Sequence, residues 1–185
     1  ILAEAEIEEE IPRDFAIYDL VQFLNGVTLH DNPSIEFPNE SNLTIREGKD
    51  RKTKYFFADP SVIVSPPEKS IQLPTEDVCF KLDSTQLQSL LKASAVYQLP
   101  DLVAVGEAGV VKLVVRDKKN DTSNEYSINV GETDQEFTFN FKVENIKILP
   151  GTYEVVISQK LLARFVNTSF NLTYFIALEP DSTFG

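Results

Sequence analysis

The chain of 185 residues contains no methionine and no tryptophan, one cysteine, Cys79, and one histidine, His30. A single thiol cannot form an internal disulfide, and its rarity fits a reducing compartment. One histidine and one cysteine leave no zinc-ligand spacing, and neither a glycine-rich phosphate loop nor a carboxylate pair at a strand end is present. Catalysis therefore finds no machinery in the sequence, and no cofactor or metal is expected. No apolar run approaches the roughly 18 residues that a membrane helix requires, and no charged-then-apolar export signal opens the chain. Basic charge is scarce as well: 17 Lys and Arg face 29 Asp and Glu, a formal net charge of −12. That balance excludes a surface coated in cations for wrapping nucleic acid, and it leaves room for a local basic surface. With no methionine anywhere and Ile1 in first place, the natural start is expected to lie upstream.

What is present is a hydrophobic fraction of 42%, enough to fill a real core. From Val78 to Glu179 the pattern is a strand, a helix and then mostly strands. VCFKLD alternates apolar and polar residues, and DSTQLQSLLKASAVY, Asp83 to Tyr97, has helical spacing. Asp83 or Ser84 is its predicted cap, with Gln86 placed to close a capping box. Leu87, Leu90, Leu91 and Ala95 project to one side of this helix, and Thr85, Gln88, Ser89 and Lys92 to the other. After its cap the helix carries no acid at all, which is unusual on so acidic a chain. LVAVGEAG, VVKLVVRD, EYSINVGE and EFTFNFKVE then alternate as strands, with KKNDTSN as a turn-rich tip. A short helical turn, VENIKIL, ends at Pro150-Gly151, and TYEVVISQ, LLARFVNTS and FNLTYFIALE follow as strands.

Upstream, a helix is expected from about Phe15 to Leu29, with Ile17, Leu20, Val21, Leu24 and Val27 or Thr28 along one side. Three short strands follow: SIEF, NLTIRE and KTKYFFA. Residues 59–74, DPSVIVSPPEKSIQLP, carry four prolines and read as an extended connector. The domains are thus expected at 1–58 and 75–185. The pattern of an aromatic, a β-branched residue, Asp or Asn and an aliphatic occurs in Phe15-Ala-Ile-Tyr-Asp-Leu20 and again in Phe141-Lys-Val-Glu-Asn-Ile146. If these are equivalent helices in two copies of one domain, the first copy lacks about fifty residues of lead-in that the second has.

AIYDLVQFL (16–24), ADPSVIVSP (58–66), DSTQLQSLLKAS (83–94), FNFKVENIKILPGTYEV (139–155) and YFIALEPDST (174–183), in this order along nearly the whole chain, resemble the sliding clamp of T-even-type bacteriophages. The resemblance implies an α+β clamp fold: two similar domains with helices on an inner face and antiparallel sheets outside, the first domain incomplete at its front. It implies a non-enzyme that works in the host cell cytoplasm with no membrane contact. Three subunits would close head to tail around duplex DNA as a ring and tether the replicative polymerase for processive synthesis, with a clamp loader as a further partner. An acid-free helix face is what a surface turned toward phosphates needs, since nearby carboxylates would repel them. Lys81, Gln88, Lys92, Lys142 and Lys147 are the expected DNA-facing residues, in sequence-blind contact. A pocket for partner peptides is expected from Val62, Ile63 and Val64 on the connector with Phe175, Leu178 and Pro180. Subunit contacts are expected at two sheet edges, Lys54, Tyr55 and Phe56 in the first domain and Tyr126 and Ile128 in the second.

For single residues the plainer expectations are a small buried thiol at Cys79 and a solvated acidic face for EAEIEEE. A competing class draws on five Asn-x-Ser/Thr triplets, at Asn39, Asn42, Asn120, Asn167 and Asn171, which would suit a secreted glycosylated adhesion domain. A β-rich phage structural protein is the other alternative.

Overall fold

The computed structural model describes residues 1–64 and 71–185. In chain order its elements are β1 (Leu2–Ala5), α1 (Leu20–Val27), β2 (Ser34–Glu36), β3 (Asn42–Glu47), β4 (Arg51–Phe56), β5 (Val78–Leu82), α2 (Ser84–Tyr97), β6 (Asp101–Glu107), β7 (Val110–Arg116), β8 (Tyr126–Glu132), β9 (Phe137–Lys142), β10 (Tyr153–Ser158), β11 (Leu162–Asn167), β12 (Leu172–Ala177) and β13 (Thr183–Phe184). Single 3-10 turns lie at Pro60–Val62 and Val143–Asn145. The chain divides into two units, Glu9–Glu68 and Ile1–Glu8 with Lys69–Gly185.

The larger unit holds two five-stranded antiparallel sheets, ordered β1-β12-β11-β10-β5 and β13-β9-β6-β7-β8. Side chains alternate across a strand, so one face of each can be apolar throughout. On β5, Val78, Phe80 and Leu82 stand opposite Ile157, Val155 and Tyr153 of β10. On β6, Leu102 and Ala104 stand opposite Phe141 and Phe139 of β9. All of them contribute to one core, Phe80 at its margin. The same alternation corrects the expectation for Cys79: it lies between two inward residues and is exposed on the outer face.

The predicted capping box is present. The Asp83 carboxylate accepts the Gln86 N–H, and the Gln86 side chain accepts the Asp83 N–H. At the other end Gln98 takes a left-handed conformation, the Leu99 N–H closes back on the Ser94 carbonyl, and Pro100 prevents continuation. The helix lies against β7 and β8 through Leu87, Leu90 and Ala93. Ala95, expected on the buried side, is exposed; Ser94 is buried instead, with its hydroxyl donating to the Leu99 carbonyl. That hydrogen bond explains how a polar residue occupies the seam.

The smaller unit is a three-stranded antiparallel sheet, β2-β3-β4, under a single short helix. Its core is Phe23, Leu43 and Ile45 with an aromatic rim of Phe15, Phe37, Tyr55 and Phe57. Helix α1 is shorter than expected because Asp19 caps it, and because Ala16 is drawn into extended pairing by the Ala58 N–H. Its register also differs from the expected stripe. Phe23 turns inward to meet Tyr55 at 5.0 Å between ring centroids, while Leu20, Val21 and Leu24 remain 58%, 68% and 50% exposed. An eight-residue helix has one narrow buried face, and the large ring takes it. β1 pairs with β12, Leu2 opposite Phe175, so Ile1–Glu8 joins the larger unit.

Substituting Leu90→Ala should destabilise the chain by about 2–5 kcal/mol through the cavity it leaves. Asp83→Ala should cost about 1 kcal/mol through loss of the cap. Urea denaturation followed by circular dichroism measures both.

Candidate nucleic-acid interface

On α2 the residues turned away from the core are Thr85, Gln88 and Lys92, all exposed, with Ser89 half-buried beside them. Helical periodicity sets this face, because the buried seam at Leu87 and Leu90 leaves the opposite flank to solvent. The Gln88 amide donates weakly to the Ser84 hydroxyl at 3.4 Å, one turn back. The face is therefore polar, free of carboxylate after the cap and marked by one cation. Lys147 is exposed just after the 3-10 turn, whose Glu144 places an exposed carboxylate nearby in sequence.

Two of the expected lysines stand differently. Lys142 is the last residue of β9, not part of a helix, and its ammonium bonds the carboxylate of Asp101, which is 1% exposed. The other Asp101 oxygen accepts the backbone N–H of Lys118 at 3.1 Å. The hydrogen bond to Asp101 holds the Lys142 pKa above the ordinary lysine value. Its charge is committed to a buried partner rather than offered to phosphate. Lys81 is exposed on the outer face of the β1-β12-β11-β10-β5 sheet, directly across from Glu154.

The residues expected to form a partner pocket divide between the units. Val62 and Val64 are exposed and Ile63 half-buried in the smaller unit, where Asp59 caps the 3-10 turn. Ile63 and Pro60 line a cleft of about 600 Å³ with Ile11, Arg13 and Phe15, a combination the sequence pattern did not single out. In the larger unit Pro180 is exposed, while Leu178 is 6% and Phe175 5% exposed; Leu178 belongs to the core and offers no open surface. Residues 65–70 of the connector lie outside the described residues.

The two expected edges are both free ends of their sheets, β4 in the smaller unit and β8 in the larger. Tyr55, Tyr126 and Ile128 face inward against their cores, so at these positions it is the backbone that the edge presents. Phe56 is exposed, with the Lys54 ammonium over its ring at 4.7 Å from the centroid. Unforeseen from sequence are exposed apolar residues on the two helices. α1, packed on β4 through Phe23 and Tyr55, exposes Leu20, Val21 and Leu24; α2, packed on β7 and β8, exposes Val96 and Tyr97 in its last turn. The adjacent aliphatics Leu20-Val21, which a short helix with one buried face cannot both bury, are the signal in the sequence.

His30 is buried, with Nε2 2.9 Å from the Thr53 hydroxyl. Among the described residues no group of three or more His, Cys, Asp or Glu side chains is placed to hold a metal ion, and no helix is long and apolar enough to cross a membrane. Two of the five glycan triplets are closed to modification as folded: the side chains of Asn42 and Asn167 are buried. Asn42 donates to Asn39, and Asn167 accepts the N–H groups of Ser169 and Phe170.

A helix-bearing double sheet joined to a smaller helix-bearing sheet defines the sliding-clamp class of fold. Solved clamps agree: the PCNA of A. fulgidus bound to the C-terminal region of FEN-1 superposes with a TM-score of 0.57 at 14% identity, over 82% of this chain and 65% of that one. The family model "gp45 sliding clamp, C terminal" matches residues 79–180, and "DNA polymerase processivity factor" matches residues 1–65. The sliding clamps of Vibrio phage KVP40 and Escherichia phage RB69 are each 35% identical, over 96% and 98% of this chain and 82% of their own lengths. The chain belongs to the gp45 sliding-clamp family of DNA polymerase processivity factors.

Lys142→Met, which strands the Asp101 carboxylate, should destabilise the chain by roughly 2–4 kcal/mol at neutral pH. Lys92→Met should stay within about 0.5 kcal/mol of the parent. Because the folded pKa of Lys142 is raised, its contribution is fully present below the unfolded lysine value of about 10.4 and disappears as pH rises through the folded value. Denaturant unfolding of parent and variant at neutral and strongly alkaline pH measures the narrowing gap.

Proposed function

We propose that this chain is the subunit of a ring that encircles duplex DNA without reading its sequence and tethers the replicative polymerase. It acts as a non-enzymatic processivity factor in the cytoplasm of the infected cell, and a clamp loader is its other partner. The observation that carries this reading is the exposed face of α2. On a chain with a formal net charge of −12, Thr85, Gln88 and Lys92 form a flank without a carboxylate. Carboxylates near phosphates repel them in a way that water and salt only partly screen, so a lining without them lets the duplex pass. Lys92 and Lys147 supply weak, sequence-blind attraction. Lys81, opposite Glu154, adds little, and Lys142 acts structurally through Asp101. Retention is topological, so feeble contacts suffice.

The ring is a homotrimer in this reading, closed by pairing β4 of one copy with β8 of the next, which removes two exposed edges at once. The exposed Leu20, Val21 and Leu24 on α1, and Val96 and Tyr97 on α2, give that pairing a hydrophobic flank. In this reading 59–74 connects a first domain, 1–58, to a second, 75–185, with the first strand, β1, given over to the sheet of the larger unit. For partner peptides, the exposed Val62 and Val64 and half-buried Ile63 are the candidate contacts in the smaller unit and Pro180 in the larger; Phe175 and Leu178 are buried and act only as support within their own unit.

The full-length protein, loaded by its cognate loader, should stay on closed circular DNA at high salt and leave when the circle is cut. Loss from circles and linear DNA alike at high salt would mark ordinary electrostatic binding and end the ring reading. Lys92→Glu combined with Lys147→Glu should lower affinity for linear duplex several-fold at low salt, read by fluorescence anisotropy. Phe56→Asp should leave unfolding unchanged while weakening self-association at least tenfold in sedimentation.

A further inference from the structure

The segment after β12 lies along the outer side of β9 and closes that sheet. The Glu179 N–H donates to the Asn140 carbonyl at 2.8 Å, the Asn140 N–H donates to the Ser182 hydroxyl at 2.9 Å, and the Gly185 N–H donates to the Glu136 carbonyl at 2.9 Å. Strand pairing itself covers only two residues, Thr183 opposite Thr138 and Phe184 opposite Phe137. The Phe184 ring stacks on Phe139 at 5.9 Å and on Phe137 at 6.4 Å between centroids. Phe137 in turn lies over Gly106, where a Cβ would fall 2.3 Å from the ring, so β6 leaves room for that ring and for no side chain of its own. Asp181 receives the Lys118 ammonium on both oxygens, at 2.7 and 2.9 Å, and that contact holds its carboxyl below the ordinary range.

The same seam is open to solvent along one side and leaves one buried acceptor unpaired. Pro180, Asp181 and Thr183 are exposed. The Asn140 amide reaches Asp181 only at 3.3 Å, and its own Oδ1 is buried without a donor. A buried acceptor left unpaired is a cost that a different occupant can relieve. The surface beneath cannot stay bare, since lifting the segment would uncover an unpaired strand edge together with two phenyl rings.

We propose that Glu179–Gly185 is an exchangeable edge strand, and that the β9 edge accepts in its place an extended peptide from a partner protein carrying an acidic residue three positions ahead of an aromatic. The acid meets Lys118, the aromatic meets Phe137 and Phe139, and backbone hydrogen bonds to Glu136 and Asn140 supply the rest, as in strand addition to a sheet edge. The segment's own Asp181 and Phe184 define that spacing. This docking edge lies wholly within the larger unit and does not depend on ring closure or on DNA.

A fluorescent peptide of sequence LEPDSTFG is titrated into the parent chain and into a double variant, Asp181→Ala with Phe184→Ala, and followed by anisotropy. The variant should bind at least tenfold tighter, because its own segment no longer competes. Replacing the peptide's phenylalanine by alanine should abolish the gain, and adding Lys118→Ala to the variant should reduce it. Hydrogen exchange at Thr138 and Asn140 should quicken in the variant and slow again with peptide, while protection across β10 and β11 stays constant and reports an intact core. Equal binding by parent and variant, with that core protected, would overturn the proposal. So would concentration-dependent dimers of the parent that exchange this segment between copies, since the occupant would then be a second copy of the chain.

Discussion

A buried seam of Leu87, Leu90 and Ala93, joined by Ser94, decides which way the longer helix looks, with the helix set against β7 and β8. The flank opposite the seam, at Thr85, Gln88 and Lys92, is left to solvent and becomes a surface in its own right. The proposed DNA-facing role of this flank depends on that orientation. The double sheet behind it supplies rigidity. Alternating side chains from both sheets fill one core, so the helix rests on a close-packed base that does not rearrange to suit a ligand. A polymer that must slide past is better served by such a base than by a surface that adapts to each sequence.

Charge is distributed to the same end. The chain is acidic overall, yet its basic residues are not interchangeable. Lys142 neutralises the buried Asp101, Lys118 holds Asp181, Arg164 pairs with Glu76, and Lys112 pairs with Glu107. These pairs consume cations that a count along the sequence would assign to ligand binding. Lys92 and Lys147 have no ion-pair partner among the described residues, and they lie on or just after the helical elements of the larger unit. Edge chemistry follows a similar economy. β9 is closed by the chain's own segment, β5 and β1 end one sheet, and β4 and β8 are left with unpaired backbone, while the helices packed on their sheets expose apolar residues. Open edges and exposed apolar residues are expensive to maintain in water, which is why they point to assembly.

Much of the architecture was legible in order and type. All eight β-strands and the long helix after Val78 stand where alternation, helical spacing and the capping box at Asp83 put them, because each signal is local and needs no knowledge of distant partners. The added β13 was missed, since two residues give no periodicity. α1 is shorter than its periodicity suggests, and of the expected stripe Ile17 and Val27 pack on the core while Leu20, Val21 and Leu24 stay exposed: periodicity cannot tell an aliphatic facing the core from one left outside when a phenylalanine on the neighbouring turn takes the buried position. Cys79 was misplaced for a related reason. A small apolar residue in a strand suits either face, and only the register with β10 chooses.

By itself, then, the sequence determined the β-rich pattern with its two helices, the family, and the absence of acids from the α2 flank, all properties of residues close together along the chain. Tertiary structure alone decided which lysines are free, which apolar residues are core and which are surface, and that segment 179–185 closes the β9 edge. Those outcomes depend on partners far apart in sequence: Asp101 for Lys142, Lys118 for Asp181 and Tyr55 for Phe23. The side chain's own chemistry permits either state, and the neighbour brought to it by folding selects one.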